Sequence, residues 1–169
     1  MRHFFRLFVA LCLCVNAAAE PTIFVVRHAE KAQAGDGDAK DPELSAAGRA
    51  RAESLAVTLK DAGITAIYAS EFKRTQQTAE PMARAAGVEV VVVPAKETNT
   101  LVYRLRERHD AALVIAHSNT IPDILKALGA TYPVTIEEPD YDNLFVLPAG
   151  APRQLIRLHL AAGRPNGGP

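Results

Sequence analysis

Residues 22–32 read TIFVVRHAEKA. The first five are apolar or β-branched, the composition of a covered strand. The run then stops at Arg27-His28, two side chains that are costly to bury unless they are paired. Three later stretches have the same form. TAIYA (65–69) ends at Ser70, with Arg74 about one helical turn further on. VEVVVV (88–93) ends at Pro94 and leads to Lys96 and Glu97, and ALVIA (112–116) ends in His117-Ser118-Asn119. Near-continuous apolar runs suit strands covered on both faces, as in a parallel sheet. If these four strands are parallel, their carboxyl ends share one edge, which is where open α/β sheets bind ligands. Two imidazoles, two guanidinium groups and a carboxylate would then meet although they are scattered along the chain.

The intervening segments carry helical signals. Ser45 can cap a helix reaching about Asp61, with Ala52, Leu55, Ala56 and Leu59 on one face, and Gly63 ends it. A second helix is expected from about Phe72 to Ala86, ended by Gly87, with Pro81 as a point where it could kink. Thr100–Arg108 makes a short basic helix, and Pro122–Leu128 another, closed by Gly129. NLFVL (143–147) reads as a fifth core strand. QLIRLHL (154–160) alternates and reads as an edge strand, with His159 on its polar side in a structural role. This alternation predicts an α/β fold: a three-layer α/β/α sandwich with a mostly parallel sheet and an antiparallel edge strand.

The ends of the chain read differently. Residues 1–19, MRHFFRLFVALCLCVNAAA, have a basic start, a short apolar stretch and a small-residue finish, the layout of a secretory signal peptide cleaved after Ala19. The apolar stretch falls short of the roughly 20 residues that span a bilayer, so stable membrane insertion is not expected after cleavage and the mature protein is expected to be periplasmic or secreted. A retained N-terminal anchor is the alternative. Residues 20–162 suit a single domain, and GRPNGGP (163–169) reads as a frayed tail. Both cysteines, Cys12 and Cys14, lie in the leader, which leaves the mature chain without disulfides, thiolate nucleophiles or cysteine-held zinc. The chain has 19 basic and 19 acidic side chains, and losing Arg2 and Arg6 makes the mature protein slightly acidic. Nothing here has the basic footprint of a nucleic-acid binder.

Two arginines suit a phosphoryl dianion, because the guanidinium fork matches phosphate oxygens and stays charged. A neutral histidine can act as a nucleophile, and a second imidazole can contact the phosphoryl oxygens. The leaving alkoxide needs a proton, so a carboxylic acid near the pocket is expected.

The residues Arg27-His28-Ala29-Glu30-Lys31, Ser70 with Arg74-Thr75 and Thr78-Ala79, and His117-Ser118-Asn119-Thr120 together resemble the signatures of the histidine phosphatase superfamily, in its phosphoglycerate mutase-like branch. Leu44-Ser45 with Gly48-Arg49-Ala50 is similar to that family's first helix start, and the resemblance runs over about 23–147. It implies a phosphomonoester hydrolase in which His28 is phosphorylated, Arg27 and Arg74 clamp the phosphoryl oxygens, and His117 completes the pocket, without a metal or other cofactor. Ser70 is read as orienting its loop. Ala29 stands where many members have glycine, and Ser118 replaces the proton-donating aspartate of the acid-phosphatase branch. Glu97, 23 positions after Arg74, is the candidate proton donor by analogy with the mutase-like branch; an ordinary loop carboxylate is the alternative.

The segment 31–43, KAQAGDGDAKDPE, reads as a short rim rather than a lid. An open pocket suits a bulky ester such as a phosphorylated glycan, or loose selectivity among small phosphate esters. Two other classes stay open at this point. One is a zinc hydrolase using His28, Glu30 and His117, although paired histidines on one helix are missing. The other is a non-catalytic phosphate-binding module of the same fold.

Overall fold

The computed structural model describes residues 21–33, 38–149 and 154–160. The leader at 1–19 and the tail at 163–169 lie outside the described residues, as does 34–37 within the rim segment. The elements in chain order are β1 (Ile23–Arg27), α1 (Ala46–Leu59), β2 (Ile64–Ala69), α2 (Lys73–Ala86), β3 (Val90–Val92), α3 (Thr98–Arg106), β4 (Ala111–Ala116), α4 (Ile121–Ala127), β5 (Asn143–Leu147) and β6 (Ile156–His159). One six-stranded sheet runs β3-β2-β4-β1-β5-β6.

The four strands β3, β2, β4 and β1 are mutually parallel, as their apolar runs predict. β5 runs antiparallel to β1, and β6 antiparallel to β5. The reversed strand is therefore β5, inside the sheet, while β6 forms the edge and points the same way as β1. Alternate side chains of the sheet feed two cores. Val25, Tyr68 and Val114 pack with Leu101, Leu105, Ile121 and Ile124 from α3 and α4. Val26, Ile67 and Ile115 pack with Leu55, Leu59, Ala79 and Met82 from α1 and α2. Each fully covered Leu, Ile or Met contributes roughly 1.5–3 kcal/mol, and the result is the expected three-layer sandwich.

One element departs from the sequence pattern. The VEVVVV run predicts a strand covered on both faces, but β3 is a three-residue edge strand with Val91 and Val92 exposed at 36% and 45%. A strand with one neighbour cannot be covered like a central one, and composition carries no information about sheet order. Pro81 does not interrupt α2, which continues from Lys73 to Ala86 with Pro81 buried; burial of the helix face holds it together despite the missing amide donor.

α1 begins where it presses on the turn after β1. Ser45 caps it, its Oγ accepting from the Gly48 N–H at 3.1 Å, and the Ser45 N–H donates to the Glu30 carbonyl at 2.9 Å. One turn in, Gly48 lies against the same carbonyl: a Cβ at this position would stand 2.2 Å from the Glu30 oxygen. Arg51, a turn further, grips the Glu30 carboxylate through Nε and Nη2 at 2.6–3.0 Å. The helix start thus buttresses the Arg27–Glu30 turn. In an open helix Gly→Ala stabilises by up to about 1 kcal/mol; here the sign reverses. Gly48→Ala is expected to destabilise by about 1–3 kcal/mol, read as a lowered Tm in thermal unfolding. An unchanged or raised Tm would show that the helix can retreat from the turn freely.

Candidate active site

The parallel register delivers the site. Arg27 is paired with Ala116 across β1 and β4, and Ala69 with Ile115 across β2 and β4. The chain therefore leaves the three strands at the same height, and neighbouring parallel strands are about 4.8 Å apart. The His28 N–H donates to the Ala116 carbonyl at 3.0 Å, extending the ladder by one residue. His28 and His117 consequently face each other with ring centroids 5.3 Å apart and planes at 63°. Both are buried, at 5% and 8% exposure.

Each ring is oriented by a hydrogen bond. His28 Nδ1 is 2.8 Å from the Ala29 carbonyl oxygen, which places the proton on Nδ1 and leaves the Nε2 lone pair free. Ser70 Oγ lies 2.9 Å from His117 Nε2 and 2.9 Å from Thr75 Oγ1, while Thr75 Oγ1 donates to the Phe72 carbonyl at 2.7 Å. Ser70, read from the sequence as orienting its loop, touches His117 directly. Burial lowers the pKa of His28 to about 4, with the positive fields of Arg74 and Arg27 acting in the same direction. Burial and Arg74 likewise lower His117 to about 4, against a smaller opposing field from Glu71. Both imidazoles are neutral at pH 7, the state a nitrogen nucleophile requires.

Arg74 leaves the first turn of α2 with its guanidinium carbon 4.3 Å from the centre of the Phe72 ring, and Phe72 packs edge-on to His117 at 5.3 Å. Asp41 pairs with Arg74 at 3.6 Å and accepts the Lys73 N–H at 3.0 Å. Arg27 is nearly inaccessible, and its Cζ sits 4.3 Å from the centre of the Tyr141 ring. Its Nη1 and Nη2 are bound by the 137–138 segment, while its Nε is buried without a partner. The structure thus gathers His28, His117, Arg27 and Arg74 at one edge of the sheet.

Glu97 is exposed, stands at the N-cap position of α3, and its side chain makes no hydrogen bond among the described residues. Glu71 is the carboxylate whose field reaches both His117 and Arg74, and its Oε2 accepts the Ala95 N–H at 2.7 Å. Glu30, a zinc ligand in the metal-site alternative, is instead held by Arg51, and among the described residues no group of three or more His, Cys, Asp or Glu is arranged to hold a metal ion. Thr78 is a motif residue to which the sequence assigns no role; its Oγ1 accepts the Ala29 N–H at 3.0 Å and donates to the Arg74 carbonyl at 2.7 Å, tying the two turns together. Tyr141 and Glu138 carry no signal in the sequence, because an acidic loop far from the motifs looks like any solvated loop.

Beside His117 and Arg74 opens a groove of about 390 Å³ walled by Phe72, Ala95, Lys96 and Asn119. Arg74 and His117 form part of its wall, and it is open to solvent.

Residues 23–97 match a family described as the histidine phosphatase superfamily (branch 1). The chain is 33% identical over 104 residues to a probable phosphoglycerate mutase GpmB from Enterobacter sp. (strain 638), covering 60% of this chain and 44% of that protein. The match therefore spans less than half the length of that curated relative. Among solved structures, a mycobacterial glucosyl-3-phosphoglycerate phosphatase bound to inorganic phosphate superposes with a TM-score of 0.62 at 16% identity, over 84% of this chain and 98% of that one. The protein histidine phosphatase SixA complexed with tungstate gives 0.62 at 17% identity, over 84% and 97%. At such identities the likeness establishes the shared fold.

An imidazole held neutral by burial binds fewer protons than the same group in the unfolded chain, whose pKa is near 6.5. The stability it provides is present above pH 6.5 and is lost as pH falls toward 4. Tm is expected to drop steadily between those values, and the drop should shrink in a His28→Asn/His117→Asn variant. An equal drop in that variant would assign the acid sensitivity to other groups.

Proposed function

We propose that this chain is a member of the histidine phosphatase superfamily, whose family model it matches over residues 23–97, and a phosphomonoester hydrolase working through a phosphohistidine on His28. The observation that carries the reading is the pair of buried neutral imidazoles at the carboxyl edge of the sheet, flanked by Arg27 and Arg74. His28 Nε2 has its lone pair free because Nδ1 is committed to Ala29. Its attack on phosphorus forms the N–P bond as the ester P–O bond breaks, and the leaving oxygen takes up a proton. Water then attacks the phosphorus, the N–P bond breaks, and inorganic phosphate is released with His28 restored. Catalysis of this kind needs positioning and charge stabilisation above all. The unpartnered Arg27 Nε is a buried donor that a phosphoryl oxygen would satisfy.

The reading needs no metal: each imidazole is oriented by a protein oxygen, and two cations line the place where a metal ion would have to sit. The groove at Phe72, Lys96 and Asn119 has room for a sugar-sized leaving group, which favours a small phosphorylated metabolite or glycan phosphate. The extracytoplasmic setting rests on the sequence of residues 1–19. Glu97 remains the proposed proton donor by its place in the motif. Its exposed position would require it to reach the leaving oxygen once a substrate is bound.

His28→Ala is expected to cut turnover of an aryl phosphate by about a thousandfold or more, with unchanged activity of the wild type in a strong chelator. Rapid acid-free quenching with radiolabelled substrate should trap an alkali-stable, acid-labile adduct that the variant lacks. Retained turnover in the variant ends the mechanism, and phosphate binding without turnover by the wild type leaves the binding-module reading.

Glu97→Gln should slow an alkyl phosphate by about a hundredfold and an aryl phosphate far less, because a phenolate departs without help. If Glu71→Gln shows that selectivity and Glu97→Gln does not, the donor is Glu71.

A further inference from the structure

The guanidinium of Arg27 is the most buried cation of the site, and its donors can be counted. Five N–H groups are available in a fixed planar fork. Nη1 donates to the carbonyls of Glu137 at 3.0 Å and Glu138 at 2.6 Å, and Nη2 to Glu138 Oε2 at 2.9 Å. Three donors are spent, which leaves Nε–H, buried and without a partner, and one hydrogen of Nη2. Those two remaining donors form a fork of the kind that takes two oxygens of one phosphoryl group.

The segment that holds Arg27 is itself preorganised. The Asp140 N–H donates to the Glu137 carbonyl at 3.0 Å, and the Glu137 N–H donates to Asp140 Oδ2 at 3.0 Å, closing a turn around Pro139. Proline also restricts Glu138 before it to extended backbone. Glu138 faces two elements at once. One carboxylate oxygen binds Arg27 at the end of β1, and the other accepts from Ser118 Oγ at 3.1 Å, one residue beyond His117 at the end of β4. The Tyr141 ring covers the guanidinium of Arg27 and lies 6.1 Å from the His28 ring.

We propose that Glu138 is a positioning residue for oxyanion binding: by saturating the far side of Arg27 and tying it to the His117 turn, it aims the free Nε edge of the guanidinium at the phosphoryl group. The proposal rests on the hydrolase reading, since it assigns a role within that site. A carboxylate beside a phosphate pocket would by its charge alone repel the ligand. The number and direction of the bonds to Arg27 outweigh that repulsion, because an unheld arginine would have to be ordered at each binding event.

The Glu138 side chain is 76% exposed, so its removal leaves the core untouched. The experiment compares wild type with Glu138→Ala and Glu138→Gln, measuring inorganic phosphate binding by calorimetry, orthovanadate inhibition, aryl phosphate kinetics and Tm. Glu138→Ala is expected to weaken phosphate and vanadate about tenfold and to lower kcat/KM at least as much, with Tm unchanged. Glu138→Gln should recover part of the loss, because its amide oxygen still accepts from Arg27. Unchanged or tighter oxyanion binding in Glu138→Ala overturns the proposal and makes Glu138 a competitor for Arg27 or a bystander. Weakened binding in a protein that hydrolyses nothing upholds the role of Glu138 and removes the hydrolase reading alone. A wild type that binds no oxyanion overturns both.

Discussion

The hydrogen-bonded register between β1 and β4 is the constraint on which the site depends. With Arg27 opposite Ala116, the two strands end level and the ladder continues through the His28 N–H to the Ala116 carbonyl. His28 and His117 can face each other only in that register. A slip of one residue would turn every side chain of β1 to the other face, taking Val25 and Val26 out of their respective cores and Arg27 away from the Tyr141 loop. The same apolar packing that makes the sheet stable thus sets the alignment of the polar edge.

Gathering charged and polar groups at a buried edge costs free energy unless each has a partner. The structure meets this by routing neighbouring turns into one another. Thr78 joins the turn after β1 to the first turn of α2, and Thr75 and Ser70 support His117. Arg51 neutralises Glu30, and Glu138 neutralises one side of Arg27. Among the described residues Arg51 Nη1, behind Glu30, is left without a partner, and at the edge itself so are the Arg27 Nε and the lone pair of His28. These features of the edge are unsatisfied in the protein alone, and they are of the kind that a tetrahedral oxyanion and an electrophilic phosphorus would engage.

Much of this is legible in the chain because it is local. The apolar runs at 22–26, 65–69 and 112–116 and the cap and stop residues around the helices lie within a few residues of the structure they specify. The polar residues at the ends of those runs stand out because they interrupt a simple pattern. The exposure of β3 is illegible, since a valine-rich run reads the same at the edge of a sheet as in its middle. The roles of Thr78 and Ser70 are half visible: the motif contains them, but their partners lie 49 and 47 residues away. Glu97 shows the reverse, a position chosen by motif spacing that the fold leaves exposed at the start of a helix.

The sequence by itself determined the α/β alternation and the placement of Arg27, His28, Ser70 and His117 at the ends of apolar strands, because hydrophobic periodicity is a local property. Only the tertiary structure decided the strand order, the reversal of β5, the neutral state of the two imidazoles and the hold of Glu138 on Arg27 across 111 residues. Those features depend on burial and on pairings between distant segments, and neither is written in the identity of any single residue.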